Sequence, residues 1–168
     1  MTELDQIWSQ MLSGTAVKAD ELGRQDVADY LRLRATNDAI RTVGVGWLFD
    51  TVIEIAGRAM RDRFGITIER EEPHTFAYGS STMVGSLLEI RQGVRCLSVE
   101  AGWARTPRDG IMQKGSLAFA RISHFGLPRE AAEIRLVHGE LLPNWLGEDD
   151  AVIDSREIQR HFDVFLGI

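Results

Sequence analysis

Apolar residues recur at helical spacing over residues 1–64 and alternate with polar ones beyond that. Residues 3 to 12 place Leu4, Ile7, Trp8, Met11 and Leu12 on one stripe behind Thr2, a side chain suited to capping, and Ser13-Gly14 supplies a stop. A second stripe, Val27, Tyr30, Leu31 and Ala35, runs from about Asp26 to Arg41 with Asp26, Asp29, Arg32 and Asp38 opposite it, which predicts a surface helix. From about Gly46 to Phe64, the residues Leu48, Phe49, Val52, Ile53, Ala56, Ala59 and Met60 cover a wider arc than a surface helix needs. This is the predicted central helix, ended by Gly65.

After Gly65 the period changes to two. Ile66, Ile68 and Arg70 alternate with Thr67, Glu69 and Glu71, and strand-like runs occupy 66–77, 82–91, 94–104, 117–124 and 133–138. Apart from the link after Ala104, the connections are short enough for an antiparallel meander. Leu142 to Asp150 reads as a surface loop pinned by Trp145. A last helix from about Ser155 to Leu166, capped by Asp154 or Ser155, would bury Ile158, Phe162 and Phe165. Helices first and strands after is the α+β arrangement. The expectation is one domain over 1–168: helical over 1–64, an antiparallel sheet of about five strands over 65–140, and a C-terminal helix over 154–167. The N-terminal helices and the C-terminal helix would pack on one face of the sheet, leaving the other partly open.

With 168 residues, 44% of them hydrophobic and 26% charged, the chain can build one core. A net charge of −6 argues against a domain that binds nucleic acid by neutralising phosphates. That charge is uneven, because residues 91–121 hold Arg91, Arg95, Arg105, Arg108, Lys114 and Arg121 against only Glu100 and Asp109. Cys96 is the only cysteine, so neither an intramolecular disulfide nor a cysteine-based zinc cluster can form, and a reducing, cytoplasmic setting is expected. Thr2, Glu3 and Asp5 do not open a signal peptide. The most apolar stretch, Val43 to Ala59, is interrupted by Asp50, Glu54 and Arg58, so no membrane partner is expected.

Gln92-Gly93 reads as the tight turn of a hairpin in which facing positions sum to 185. One face then carries Val84, Ser86, Leu88 and Ile90 beside Arg95, Leu97, Val99, Ala101 and Trp103, and is the core face. The other places Gly85 opposite Glu100, with Gly102 two residues further on, so a carboxylate stands beside two positions without side chains. Strand glycines mark bulges or the close approach of a backbone or ligand. The plainer reading is a pair of bulges with Glu100 ion-paired to an arginine on a neighbouring strand.

Four groups carry candidate chemistry. The long link Arg105 to Ser116 holds Arg105, Arg108 and Lys114 among glycines, and its guanidinium groups and backbone N–H groups would suit an anion, although Lys114-Gly-Ser is not a phosphate-binding P-loop. His74, His124, His138 and His161 lack metal-ligand spacing, and a site would have to be assembled across strands, for example from His74, His124 and Glu100, so neither a metal nor a cofactor is expected. Cys96, facing Glu89 in the proposed register, is a poor nucleophile beside a carboxylate. Asp50, Glu54 and Arg58 suit an ion-paired helix surface better than an acid–base pair.

Three functional classes follow from these residues. The leading expectation is a non-catalytic module that binds a small or anionic ligand, or a protein partner, over the open sheet face and the 105–116 loop. Its ligand-binding candidates are Glu100, Arg105, Arg108, Lys114, His74 and His124. The second is a hydrolase or group-transfer enzyme using Glu100 as general base with His74 or His124, and Arg105 to stabilise an anion. The third is a structural protein forming a homodimer through the sheet, with Met83, Leu87 and Val94 covered by the second chain.

Overall fold

The computed structural model describes residues 3–113 and 115–168, with side chains from Gln6 onward; the Thr2 cap and Lys114 lie outside the described residues. Helix α1 runs Glu3–Glu21, past the expected stop at Ser13-Gly14, and the turn at Gly23 (φ 71°) reverses the chain into α2, Gln25–Asp62. The two helices predicted over 26–41 and 46–64 are therefore one helix of 38 residues, about 57 Å long at the standard rise of about 1.5 Å per residue. The expected gap between residues 41 and 46 contains Gly44, and although glycine is a poor helix former α2 runs straight through it.

Packing explains why the helix continues. A Cβ on Gly44 would lie 2.5 Å from Leu136 Cδ2, so glycine lets α2 settle directly on the sheet, and the Trp145 indole N–H donates to the Gly44 carbonyl at 2.9 Å. Downstream of this seat Leu48, Phe49, Val52 and Ala56 are buried in the core as the apolar arc predicted, joined by Ile55, whereas Ile53 and Met60 of that arc are exposed. Upstream, the first half of α2 packs on α1. Gly65 (φ 78°) follows the helix end at Arg63.

Six antiparallel strands form one sheet in sequence order: β1 Ile66–Tyr78, β2 Ser81–Gln92, β3 Arg95–Trp103, β4 Ala118–His124, β5 Ala132–Val137 and β6 Asn144–Leu146. The class is α+β, with six strands rather than about five. The extra one, β6, lies in the segment read as a surface loop, and Trp145 at its centre is 2% exposed beneath α2. Helix α3, Ser155–Leu166, is capped by Asp154, whose carboxylate accepts from the N–H groups of Arg156 and Glu157, and it buries Ile158, Phe162 and Phe165 as expected. Among the described residues no helix is long and apolar enough to cross a membrane.

The β2–β3 turn is Gly93-Val94, one residue later than expected, so Gln92 pairs with Arg95 and facing positions shift by two. A shift of two preserves the faces, and Leu88, Ile90, Leu97, Val99, Ala101 and Trp103 are all buried on the core side. The partners change: Glu100 faces Leu87 and Cys96 faces Arg91, while Gly85 faces Gly102. Neither glycine forms a bulge. A Cβ on Gly85 would fall on the Ala101 carbonyl and one on Gly102 would lie 2.7 Å from Val84, so the two residues are glycine because β2 and β3 approach closely.

The bulge is in β1 instead, where pairing slips by one residue between Glu71 and His74. Beyond it the alternation changes phase, and His74, Phe76 and Tyr78 turn onto the second face. There Tyr78 stacks on Phe119 of β4 with centroids 3.9 Å apart, and Arg121 of β4 donates to the Ala77 carbonyl. A flat sheet would hold β1 and β4 roughly 14 Å apart, so the tip of the β1–β2 hairpin curls over this face. Phe76 and Phe119 thereby cover Met83, which is fully buried within the single chain and so needs no second chain to cover it.

Gly44→Ala is expected to lower stability by about 1–3 kcal/mol, because overpacking against the buried Leu136 outweighs the gain in helix propensity. Gly57→Ala, in the same helix with open space around it, should raise stability by up to about 1 kcal/mol. Urea unfolding of both variants checks the pair; equal effects would mean that α2 is not seated on Gly44.

Candidate functional site

The residues singled out from sequence fall at three places. On the second face, the bulge and the absence of side chains at Gly85 and Gly102 bring His74 across β2 to Glu100. His74 Nε2 lies 3.0 Å from Glu100 Oε2, and Arg121 Nη1 donates to Glu100 Oε1 at 2.9 Å. Arg121 also donates to Glu133 Oε1 from Nε at 3.1 Å and from Nη2 at 2.9 Å. Partial burial works against the Arg121 charge, and the carboxylates of Glu133 and Glu100 outweigh it, holding its pKa above the ordinary value. Burial, reinforced by Glu133, pushes the Tyr78 hydroxyl up as well. The ion pair to a neighbouring strand is thus present. No hydroxyl or thiol is hydrogen-bonded to His74 or Glu100 among the described residues.

His124 sits on the opposite face, beneath α3, where its Nε2 lies 3.0 Å from Nδ1 of His161 and the two rings stack. Burial lowers the pKa of His124 against the opposing charge of Glu130, and burial together with His124 and Arg160 pushes His161 down to about 4. Two neutral imidazoles can share this contact through one N–H, whereas two cations cannot. His124 therefore cannot partner Glu100. Cys96 is buried, with Glu89 Oε1 at 3.7 Å and Ser98 Oγ at 3.6 Å, and Asp50, Glu54 and Arg58 are exposed with no ion pair joining them among the described residues. No group of three His, Cys, Asp or Glu side chains able to hold a metal is assembled among the described residues.

The third place is the loop after β3. Asp109 Oδ2 accepts from the N–H groups of Arg105 and Thr106 and from the Thr106 hydroxyl, and the Thr106 N–H, first among these, holds its carboxyl below the ordinary range. The backbone donors that the sequence offered to an anion are thus used to shape the loop. Its far side is fastened to the hairpin tip, where Thr82 N–H donates to the Asp109 carbonyl. Arg108 points away, exposed, whereas Arg105 turns inward with its guanidinium carbon 3.7 Å from the centre of the Trp103 ring.

Between this loop, the end of β3 and the α1–α2 hairpin lies a cavity of about 680 Å³. Arg34, Arg41 and Arg105 line it, and Asp38 supplies the one carboxylate among its described lining residues. Arg41 donates to the Leu117 carbonyl from Nε and to Asp38 from Nη1, both at 2.7 Å, and Arg34 Nη2 donates to the Arg105 carbonyl at 3.0 Å. Asn37 stands in the same wall, its Oδ1 buried without a partner among the described residues. A second cavity of about 280 Å³, beside Trp47 and Trp145, contains no cationic group among the described residues.

No protein-family model, curated protein or solved structure matches this chain. The chemistry must be read from the site itself. Sequence reasoning found Arg105 and missed its companions. Their signal was present: Arg34, Asn37, Asp38 and Arg41 follow helical spacing and form a polar stripe along α2. Only the fold shows that the stripe faces a loop rather than solvent.

The histidine pair makes stability depend on pH. Both histidines stay neutral in the folded chain and protonate more readily when it unfolds, so stability is fully present above about pH 6.5 and falls as the pH drops toward about 4. Urea midpoints measured across this interval should decline in the parent protein and decline less in His161→Gln. Equal slopes would show that the pair does not carry the effect.

Proposed function

We propose that this protein is a non-catalytic binding module that holds a small anionic ligand in the cavity between the helical hairpin and the loop that follows β3. The observation that carries the reading is the convergence of Arg34, Arg41 and Arg105 on one cavity, with Asp38 the one carboxylate among its described lining residues, in a protein with a net charge of −6. Guanidinium groups suit the oxygens of an anion through paired, charge-assisted hydrogen bonds. A cavity of about 680 Å³ is of the size that small-molecule sites occupy.

A second reading, hydrolysis or group transfer with Glu100 as general base, is favoured by the 3.0 Å contact between Glu100 and His74. Arg121 occupies the other carboxylate oxygen, which suits a structural ion pair better than a proton acceptor. The anion-binding reading therefore stands first.

Thermal unfolding against a panel of aromatic and aliphatic carboxylates and phosphates, at fixed ionic strength, tests it. At least one anion should raise Tm. Arg105→Ala should weaken its binding by about tenfold or more, the scale of one charge-assisted hydrogen bond. Arg108→Ala, on the same loop but outside the cavity, should leave it unchanged. No shift with any anion, or equal losses in the two variants, would overturn the reading.

A further inference from the structure

We infer that the end of the sheet opposite the arginine cavity docks on an anionic lipid surface, placing apolar turn residues among the headgroups while nearby arginines hold the phosphates. Phe64 after α2, Val94 in the β2–β3 turn, and Phe125 and Leu127 between β4 and β5 share this end, because Ile66 pairs with Gln92 and Leu97 with His124. Phe64, Val94 and Phe125 are 98%, 87% and 76% exposed, and Leu127 is half-exposed. Scattered exposed apolar residues are ordinary, whereas a row of them along one end of a sheet marks an interaction surface. The backbone beneath them is held in place. Gln92 Nε2 donates to the Phe64 carbonyl at 3.1 Å, and the Phe125 N–H donates to the Cys96 carbonyl at 2.9 Å.

Charge decides which partner fits. Over residues 61–65, 89–95 and 125–130, Arg61, Arg63, Arg91, Arg95 and Arg129 stand against Asp62, Glu89 and Glu130, a local excess of cations in a chain of net charge −6. Arg91 holds Glu89, and Arg95 Nη1 donates to the Phe165 carbonyl at 3.3 Å. Arg61, Arg63 and Arg129 are exposed and join no ion pair among the described residues. The apolar side chains project from separate turns, tight at Gly93 and Gly126 (φ 59° and 77°), and a protein partner would need a surface matched to each of them. A bilayer needs no such match. Its headgroup layer admits separate apolar tips, its phosphates meet the guanidinium groups, and the arginine stems lie along the acyl boundary. The interruptions at Asp50, Glu54 and Arg58 argue against a spanning helix and have no bearing on turns that enter only the headgroup layer.

Flotation of the full chain with vesicles of phosphatidylcholine alone, and of equal parts phosphatidylcholine and phosphatidylserine, tests the assignment. The parent protein should float with the anionic vesicles at low salt and less so as salt is raised. Phe64→Ala combined with Phe125→Ala should weaken this partitioning about tenfold or more, the scale of two aromatic side chains withdrawn from an apolar setting. Both side chains are largely exposed, so the urea midpoint of that variant should match the parent's. Arg61→Gln combined with Arg129→Gln should weaken binding to the anionic vesicles about tenfold or more. Leu141→Ala removes a nearly fully exposed apolar side chain from the link between β5 and β6, at the opposite end of the sheet, and should change nothing. No flotation with anionic vesicles, or equal losses in Leu141→Ala and the aromatic pair, would overturn the inference. Sedimentation velocity showing a dimer that the aromatic pair abolishes, with no vesicle binding, would also overturn it and assign this end to a second copy of the chain.

Discussion

The seat of α2 on the sheet governs most of what this chain builds. At Gly44 the helix backbone meets Leu136 with room for a hydrogen and no more, and the buried Trp145 indole closes on the Gly44 carbonyl. Trp145 belongs to the strand β6, so one contact fixes helix position, sheet edge and core together. Everything downstream of the seat is core. The residues from Gln25 to Val43 run on for about 28 Å at the standard helical rise, and α1 folds back along them. The arginine cavity is the space left between this overrun and the loop after β3.

The same geometry divides the charge of the molecule. On the second face Glu100, Arg121, Glu133 and His74 contact one another beneath the curled hairpin tip. Around the cavity, three guanidinium groups face one carboxylate among the described residues. Both clusters are held by short contacts, yet only the second borders an open cavity. An open volume beside the charged groups, rather than the presence of reactive residue types, separates a structural network from a candidate site.

Much of the fold was legible because burial dictates periodicity. The wide apolar arc from Leu48 to Met60 did mark the core helix, and alternation marked five strands and the faces of the β2–β3 hairpin, which survived a misplaced turn because the register moved by two. What failed were positions where tertiary packing overrides local preference. The expected gap between two helices is instead a helix–sheet contact at Gly44, and Gly85 and Gly102, read most plainly as bulges, are two backbones in close approach. The β1 bulge could not be read from alternation, although it decides that His74 reaches Glu100. For the site, sequence proximity led to Arg105 within a basic segment. Arg34 and Arg41 lie about seventy residues away in the chain and join it only through the overrun of α2.

The central claim is that the overrunning half of α2 and the loop after β3 enclose an anion site. A crystal structure grown with the tightest-binding anion tests this most directly. The account predicts the acidic group of the ligand within about 3 Å of guanidinium nitrogens of Arg34, Arg41 or Arg105, the ordinary length of such a hydrogen bond, with the Trp103 ring beside it. An empty cavity with the anion bound elsewhere, on the face of Glu100 and His74 above all, would contradict it.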